Sequence, residues 1–324
     1  MQAIVMTQTG GPEVLVLQEV PAPAAGPGEV VIRAEAIPVL FPETKLRSGE
    51  FPLGVEPPLV FGFQAAGVVT EVGAGVDGAL LGRRVTVATM GFGSYAEFVS
   101  APADSVTLIP DGLSAVDAAA VLMSGSVALP LLETAALTGT ETVLIEAAAT
   151  GIGGYLTQLA KEYGAARVVA TAGGPVKAER AREFGADEVI DHNDPEWPAR
   201  LREILGGATL DVVFDSIGGP TAAEVLDVMT PLRGRMLSYG WLSGAPAQLS
   251  AADLITRGLT LTGCAGPDWL ARVAQARTAT LQRAATGRLD PVVEAVLPLD
   301  QAAHAHKLIE DRAPLGKLIL RPND

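Results

Sequence analysis

The sequence predicts an α/β protein with two kinds of sheet: a partly open, barrel-like antiparallel assembly and a doubly wound parallel sheet. Three observations predict it. The first third of the chain consists of short alternating strands separated by Gly and Pro turns. From about residue 113 the pattern becomes strands alternating with helical stretches. At the start of that second pattern, one buried strand runs through a Gly-rich turn directly into a helix.

In chain order, residues 1–6 and 14–20 are strand-like, and Thr9-Gly-Gly-Pro-Glu13 supplies the turn between them. Residues 21–28 are a Pro/Ala/Gly loop, too short to link domains. Residues 29–35 alternate again, 68–72 and 84–88 are further strands, and 91–100 give a turn and then a strand. Residues 114–122 and 125–137 read as Ala-rich helices. Strands at 141–147, 166–170, 188–190, 212–215, 234–239 and 259–263 then alternate with helices at 151–163, 175–184, 195–205 and 221–229. Connections of this length suit right-handed parallel crossovers. A helix at 268–285, a strand at 292–297, a helix around 301–310 and a strand at 317–320 complete the chain. The last strand is placed to rejoin the first sheet.

Composition limits the function classes. The 324 residues are 48% hydrophobic but only 5% aromatic, so Ala, Val, Leu and Ile must fill the cores of what length suggests are two domains. A formal charge of −14 repels nucleic-acid phosphates and anionic lipid, and no basic stripe offsets it. Any anionic cofactor therefore needs its own local donors. A single cysteine, Cys264, excludes an intramolecular disulfide. The histidines are His192, His304 and His306; the last two, at i and i+2 of a helical run, do not face one another, and no zinc-ligand spacing is present. No basic leader and no uninterrupted 18-residue apolar run is found, so the expectation is a cytoplasmic protein with no membrane span.

The chemistry concentrates in Val143-Leu-Ile-Glu-Ala-Ala-Ala-Thr-Gly-Ile-Gly-Gly-Tyr155. Strand, Gly-rich turn and helix in this order make an anion cradle, because turn amides and the helix N-terminus converge on the pyrophosphate of a dinucleotide. The G-x-G-x-x-G fingerprint is degraded to Ala148-Ala-Thr-Gly-Ile-Gly153. Only Gly153, the close-packing glycine, is in register, and Thr150 fills the slot that normally admits the phosphate. Ala149, Thr150, Gly151, Ile152 and Gly153 are the expected cofactor-binding run. The next strand ends Val168-Val-Ala-Thr-Ala172 with no acid between Arg167 and Lys177. A site for NAD usually places Asp or Glu there. Its absence, with room at Gly173 and Gly174, favours NADPH, with Lys177, His192 and Arg180 as candidate contacts to the 2′-phosphate end. Ligands bind beyond the carboxyl ends of parallel strands. Asp215-Ser-Ile-Gly-Gly219 and Ser238-Tyr-Gly-Trp241 should therefore flank the cofactor, Ser216 and Gly240 touching it and Tyr239 and Trp241 walling the nicotinamide or acceptor pocket.

Taken with Gly28-Glu-Val-Val31, Arg47-Ser-Gly49, Ala65-Ala-Gly-Val-Val69, Gly93-Ser-Tyr-Ala-Glu97, Phe184-Gly-Ala-Asp187, Phe214-Asp-Ser-Ile-Gly218, Ala305-His306 and Gly316-Lys317, the whole chain resembles the medium-chain dehydrogenase/reductase superfamily, in its zinc-free quinone oxidoreductase branch. The resemblance implies a GroES-like catalytic domain from residues 1–122 and 268–324, a Rossmann domain at 123–267, and a dinucleotide in the cleft between them. It also implies a homodimer or homotetramer joined by edges of the nucleotide domains. Zinc-dependent relatives carry Gly-His-Glu where this chain has Gly62-Phe-Gln64. The branch's Asn before the Arg-Ser-Gly stretch aligns with Leu40, its substrate-side tyrosines align with Lys45 and Phe51, and a Thr aligns with Val127.

The expected reaction is hydride transfer from NADPH to a small quinone or conjugated enone. Alternatives are reduction of an anionic or thioester-activated double bond, and a non-enzymatic NADPH-binding regulatory or structural protein. Hydride delivery leaves negative charge on the acceptor oxygen, which a donor must meet. Lys45, with Thr44 as a second donor, is the catalytic candidate. Leu40, Phe51, Met90, Met123 and Val127 are expected apolar pocket residues, Arg47 an ion-pair partner, and Lys317 a contact to the nucleotide.

Overall fold

The computed structural model describes residues 1–50, 54, 56–89 and 92–322; Phe51 and Met90 lie outside the described residues. The chain divides into two compact units, Met1–Met123 with Thr278–Asp324, and Ser124–Arg277.

In the first unit a sheet runs in the order Val293–Pro298, Lys317–Arg321, Glu29–Pro38, Gln64–Val72, Arg84–Ala88 and Val106–Leu108, with Phe98–Pro102 pairing onto Glu29–Pro38. Every pairing is antiparallel except the first, which joins the two C-terminal strands in parallel. The last strand does return, setting Ile319 opposite Pro38 and Leu320 opposite Ile37. A second sheet is Leu15–Glu19, Gln2–Met6 and Leu59–Val60. Period-2 alternation along these strands turns Ile4, Met6, Val30, Ile32, Val85 and Val87 into one aliphatic core closed by Phe61 and Tyr95. Gly67 is needed there, since a Cβ would stand 2.0 Å from the Arg33 carbonyl oxygen.

The second unit holds a six-stranded parallel sheet in the order Glu188–Asp191, Ala165–Ala172, Glu141–Ile145, Val212–Asp215, Arg235–Ser238 and Thr260–Gly263. The chain starts in the middle, builds outward to one side and then crosses to the other. The reversal lies between Glu141–Ile145 and Val212–Asp215, the position where open parallel sheets bind ligands. Both central strands are near-continuous apolar runs, as burial on two faces requires.

Three differences from the sequence reading have local causes. The helices expected at 114–122 and 125–137 are one helix, Ala115–Ala135, which passes through Gly125 and carries Pro130 inside. That helix is long and apolar enough to cross a membrane, yet 72% of its most apolar window is buried inside the protein. Phe41–Ser48 is a helix where none was expected, started by Pro42 in its first turn and ended by Gly49 in the left-handed conformation. Ala251–Arg257 is another, opened by a Ser250–Asp253 capping box.

Candidate active site

The cradle forms as the strand–turn–helix order predicts. The strand Glu141–Ile145 leads through Ala147, held at φ 50°, to Thr150 and then to the helix Gly151–Ala160. Thr150 is the N-cap in extended conformation, and its side chain makes no capping bond. The amides that open the helix are therefore left without the usual side-chain acceptor, and an anion suits that position. Gly151 sits at φ 56° with open space where a Cβ would be. Gly153 is the close-packing glycine in fact: a Cβ there would stand 2.4 Å from the Ala147 carbonyl oxygen and 2.7 Å from that of Glu146. Ala149 is buried and Ile152 half-buried beside it.

At the adenosine end, Ala172 closes its strand beneath the turn Gly173–Gly174, and Gly174 takes φ 85°. Lys177 is half-buried on the helix Pro175–Glu183. The Nδ1 of His192 lies 3.0 Å from the Thr171 hydroxyl, whose oxygen also accepts from the Ala147 amide at 3.2 Å. Arg180 pairs with Glu183 at 3.3 Å and lies over the Phe184 ring, so its charge is already engaged. One residue was missed in the sequence. Asp191 ends the neighbouring strand in register with Ala172, and its Oδ1 accepts from the Gly174 and Asn193 amides. The strand end carries no acid of its own, but the sheet brings one alongside. Only pairing register could have revealed it.

At the sheet's reversal point, the loops after Val212–Asp215 and Arg235–Ser238 are clasped together. Leu242 N donates to Ser216 O at 2.9 Å and Ser243 N to Ile217 O at 3.0 Å. Gly240 is so close that a Cβ would stand 3.2 Å from Ser216 O. The structure thus joins the Ser216 loop to Gly240 and the residues that follow it. The Tyr239 hydroxyl is buried beside Ser216 without a well-formed hydrogen bond. Trp241 is exposed, at 52%.

In the catalytic unit the proposed donors have other partners. Lys45, on the new helix, pairs with Glu50 at 2.8 Å and is partly exposed. Thr44 is buried and donates its hydroxyl to Phe41 O at 2.8 Å, one helical turn back. Leu40 is fully buried as the N-cap residue of that helix. Met123 and Val127 are half-buried on one face of the helix Ala115–Ala135, four residues apart. Arg47 is the ion-pair partner expected of it, meeting Glu310, while its Nε and Nη1 are buried without partners.

The polar centre of this unit is Glu43, which sequence reasoning passed over. Its carboxylate accepts from Leu40 N, Phe63 N and the Tyr95 hydroxyl, each at 2.7 Å. The Tyr95 oxygen lies 3.1 Å from Nε2 of the buried His306. Burial pushes the Glu43 carboxyl up to about 7, against the opposing pull of these hydrogen bonds and of Lys317. Burial lowers the Lys317 ammonium to about 8, with Glu43 acting the other way. His306 is driven down to about 3 by burial and by the Arg47 charge, so it is neutral. The signal that could have found Glu43 was an acid directly after the apolar run 39–42, where burial is expensive unless several donors serve it.

These features define a dinucleotide-dependent oxidoreductase with a barrel-type catalytic unit. Residues 26–111 match the alcohol dehydrogenase GroES-like domain, and residues 151–283 match the zinc-binding dehydrogenase domain. The chain is 35% identical over 332 residues to a 2-haloacrylate reductase of Burkholderia sp, covering 99% of each. It is 33% identical over 323 residues to quinone oxidoreductase 1 of Escherichia coli, covering 97% of each. The structure of the Escherichia coli quinone oxidoreductase complexed with NADPH superposes with a TM-score of 0.89 at 32% identity, covering 99% of this chain and 100% of that one. The chain belongs to the medium-chain dehydrogenase/reductase superfamily, in its quinone oxidoreductase branch. The zinc of the family's name does not fit the residues here. Phe63 brings no ligand atom, the Gln64 amide donates to Ala119 O, and among the described residues no group of three or more His, Cys, Asp or Glu is placed to hold an ion.

Proposed function

We propose that this protein reduces a quinone or conjugated enone with hydride from NADPH, without a metal ion. The observation that carries the reading is the uncapped helix start at Thr150, beside a strand end whose own residues carry no acid. A dinucleotide fits there by the close-packing test at Gly153 and the open space at Gly151. When bound, NADPH supplies a transferable hydrogen at C4. The protein's part is to hold and orient it. The amides at 151–153 meet the pyrophosphate, Lys177 and His192 meet the 2′-phosphate, and the Ser216 and Gly240 loops support the nicotinamide end. The names of the relatives support a quinone or an activated double bond as acceptor.

A second reading of the acceptor, an anionic or thioester-activated double bond, is favoured by the 35% identity to a 2-haloacrylate reductase. Lys45 and Thr44 were candidates to meet negative charge on the acceptor. Lys45 is held by Glu50, and we assign proton exchange in this unit to Glu43 and Lys317 instead. We read the enzyme as a cytoplasmic homodimer or homotetramer. The test follows loss of reduced-cofactor absorbance with benzoquinone-type acceptors, enones, 2-haloacrylates and acyl thioesters, each with NADPH and NADH. Turnover with the first two classes is expected. NADPH bound without oxidation by any acceptor would instead favour a non-enzymatic binding protein.

A further inference from the structure

We propose that Glu146 is a positioning residue, that it shares one proton with Asp215, and that this proton holds the two cofactor loops in register, so that reduced-dinucleotide affinity falls when it is lost. The inference rests on the dinucleotide reading above and assigns it a control.

Glu146 follows the strand Glu141–Ile145 and Asp215 ends the strand Val212–Asp215, so the two carboxyls meet at the sheet's reversal point. Both are buried, at 2% and 1% exposure. Glu146 Oε2 accepts from Ser216 N and Ile217 N, each at 2.9 Å. Asp215 Oδ1 accepts from Gly218 N at 2.8 Å, and Oδ2 accepts from the Ser238 hydroxyl at 2.6 Å. Glu146 Oε2 thus stands against the two residues that directly follow Asp215, which brings the two buried carboxyls close enough to share a hydrogen bond. Carboxylates only accept, so that bond exists only if one of the pair is protonated. Burial first, and then the charge of Asp215, hold the Glu146 carboxyl well above its ordinary range.

Through these bonds the pair fixes residues 216–218 and Ser238 together. The same loops are tied to one another by Leu242 N to Ser216 O, Ser243 N to Ile217 O and Gly219 N to Ala245 O. Two ionised carboxylates in contact would repel and push the Ser216 loop outward, away from Gly240. Tyr239 and Cys264, two titratable groups near the pair, hold no charge at neutral pH. Tyr239 is pushed up by burial, and Cys264, which acts on Tyr239, is raised to about 11 by burial. On the opposite flank Thr171 receives the Ala147 amide and contacts His192 through its hydroxyl.

Glu146→Gln tests this directly. The amide oxygen can accept from Ser216 and Ile217 while the NH2 donates to Asp215, which replaces the shared proton with a hydrogen that Glu146 cannot lose. NADPH affinity of wild type and Glu146→Gln is measured by fluorescence titration from about pH 6 to about pH 10, beside urea unfolding of both apo proteins. Lys317 and the phosphates are common to both proteins and cancel in the affinity ratio. The expected result is equal affinity at the low end and wild type weaker by about tenfold or more at the high end, with wild-type stability falling more steeply with pH. Parallel pH dependence of the two proteins in both measurements would overturn the proposal, as would a Glu146→Gln chain that fails to fold. If wild type binds no reduced dinucleotide at any pH, the cofactor reading fails separately, and the unfolding comparison alone decides whether the shared proton exists.

Discussion

Glu43 shows how a single buried acid organises the catalytic unit. Three donors from three segments converge on it, so it fixes the start of the helix Phe41–Ser48, the Phe63 turn and the Tyr95 hydroxyl at once. Burial raises its folded-state pKa from 4.5 to about 7. Across that window the folded chain holds a proton that the unfolded chain has released. Stability is therefore fully present below about 4.5 and is lost as pH rises through about 7. Wild type should lose up to about 3 kcal/mol between pH 5 and pH 8 from this group, and Glu43→Gln should lose that component of the slope. Urea unfolding at both pH values checks it; identical slopes would remove Glu43 as a proton-linked group. Asp191 acts in the other compact unit. Its carboxylate lies beside the Gly173–Gly174 turn and should repel a 2′-phosphate, so Asp191→Asn should raise the NADPH-to-NADH affinity ratio while Lys177→Ala lowers it. Each change is expected to be about tenfold or less, the effect of one phosphate contact near 1.4 kcal/mol. Calorimetric titration with both dinucleotides reads the ratio; unchanged ratios would place the 2′ position elsewhere.

At the scale of elements, the parallel sheet and its cradle could be read from the sequence because periodicity and Gly punctuation are local signals. Gly153 was in register, and the structure shows why no other residue fits. Gly153→Ala should therefore push the helix Gly151–Ala160 off the Ala147 carbonyl. We expect a loss of about 1–3 kcal/mol in urea unfolding and weaker dinucleotide binding. An alanine variant with unchanged affinity would mean that the helix start does not hold the phosphates. The helix Phe41–Ser48 was hidden by its length and by Pro42, which marks a first helical turn as readily as a loop. That missed helix is why Lys45 and Thr44 looked available: on it, Thr44 bonds back to Phe41 and Lys45 reaches Glu50. Glu43, Asp191 and Glu146 were not legible for a different reason. Their roles depend on partners from distant segments, such as Tyr95, Gly174 and Asp215, which pairing register and packing bring together.

At the scale of the whole molecule, the strand Thr260–Gly263 ends the parallel sheet, pairs on one side only among the described residues, and leaves Leu261 exposed. Open edges of this kind invite pairing with another copy. Light scattering should find a dimer or tetramer, and Leu261→Lys should shift it toward monomer; an unchanged assembly would move the interface away from this edge. The −14 charge leaves the proposed phosphate binding to local devices, the helix-start amides and Lys177. Titration of the apo protein with NADPH and NADH, followed by the fluorescence of its tryptophans, tests that arrangement most directly. The account predicts saturable binding of both and tighter binding of NADPH, and binding of neither, or equal affinity for the two, would contradict it.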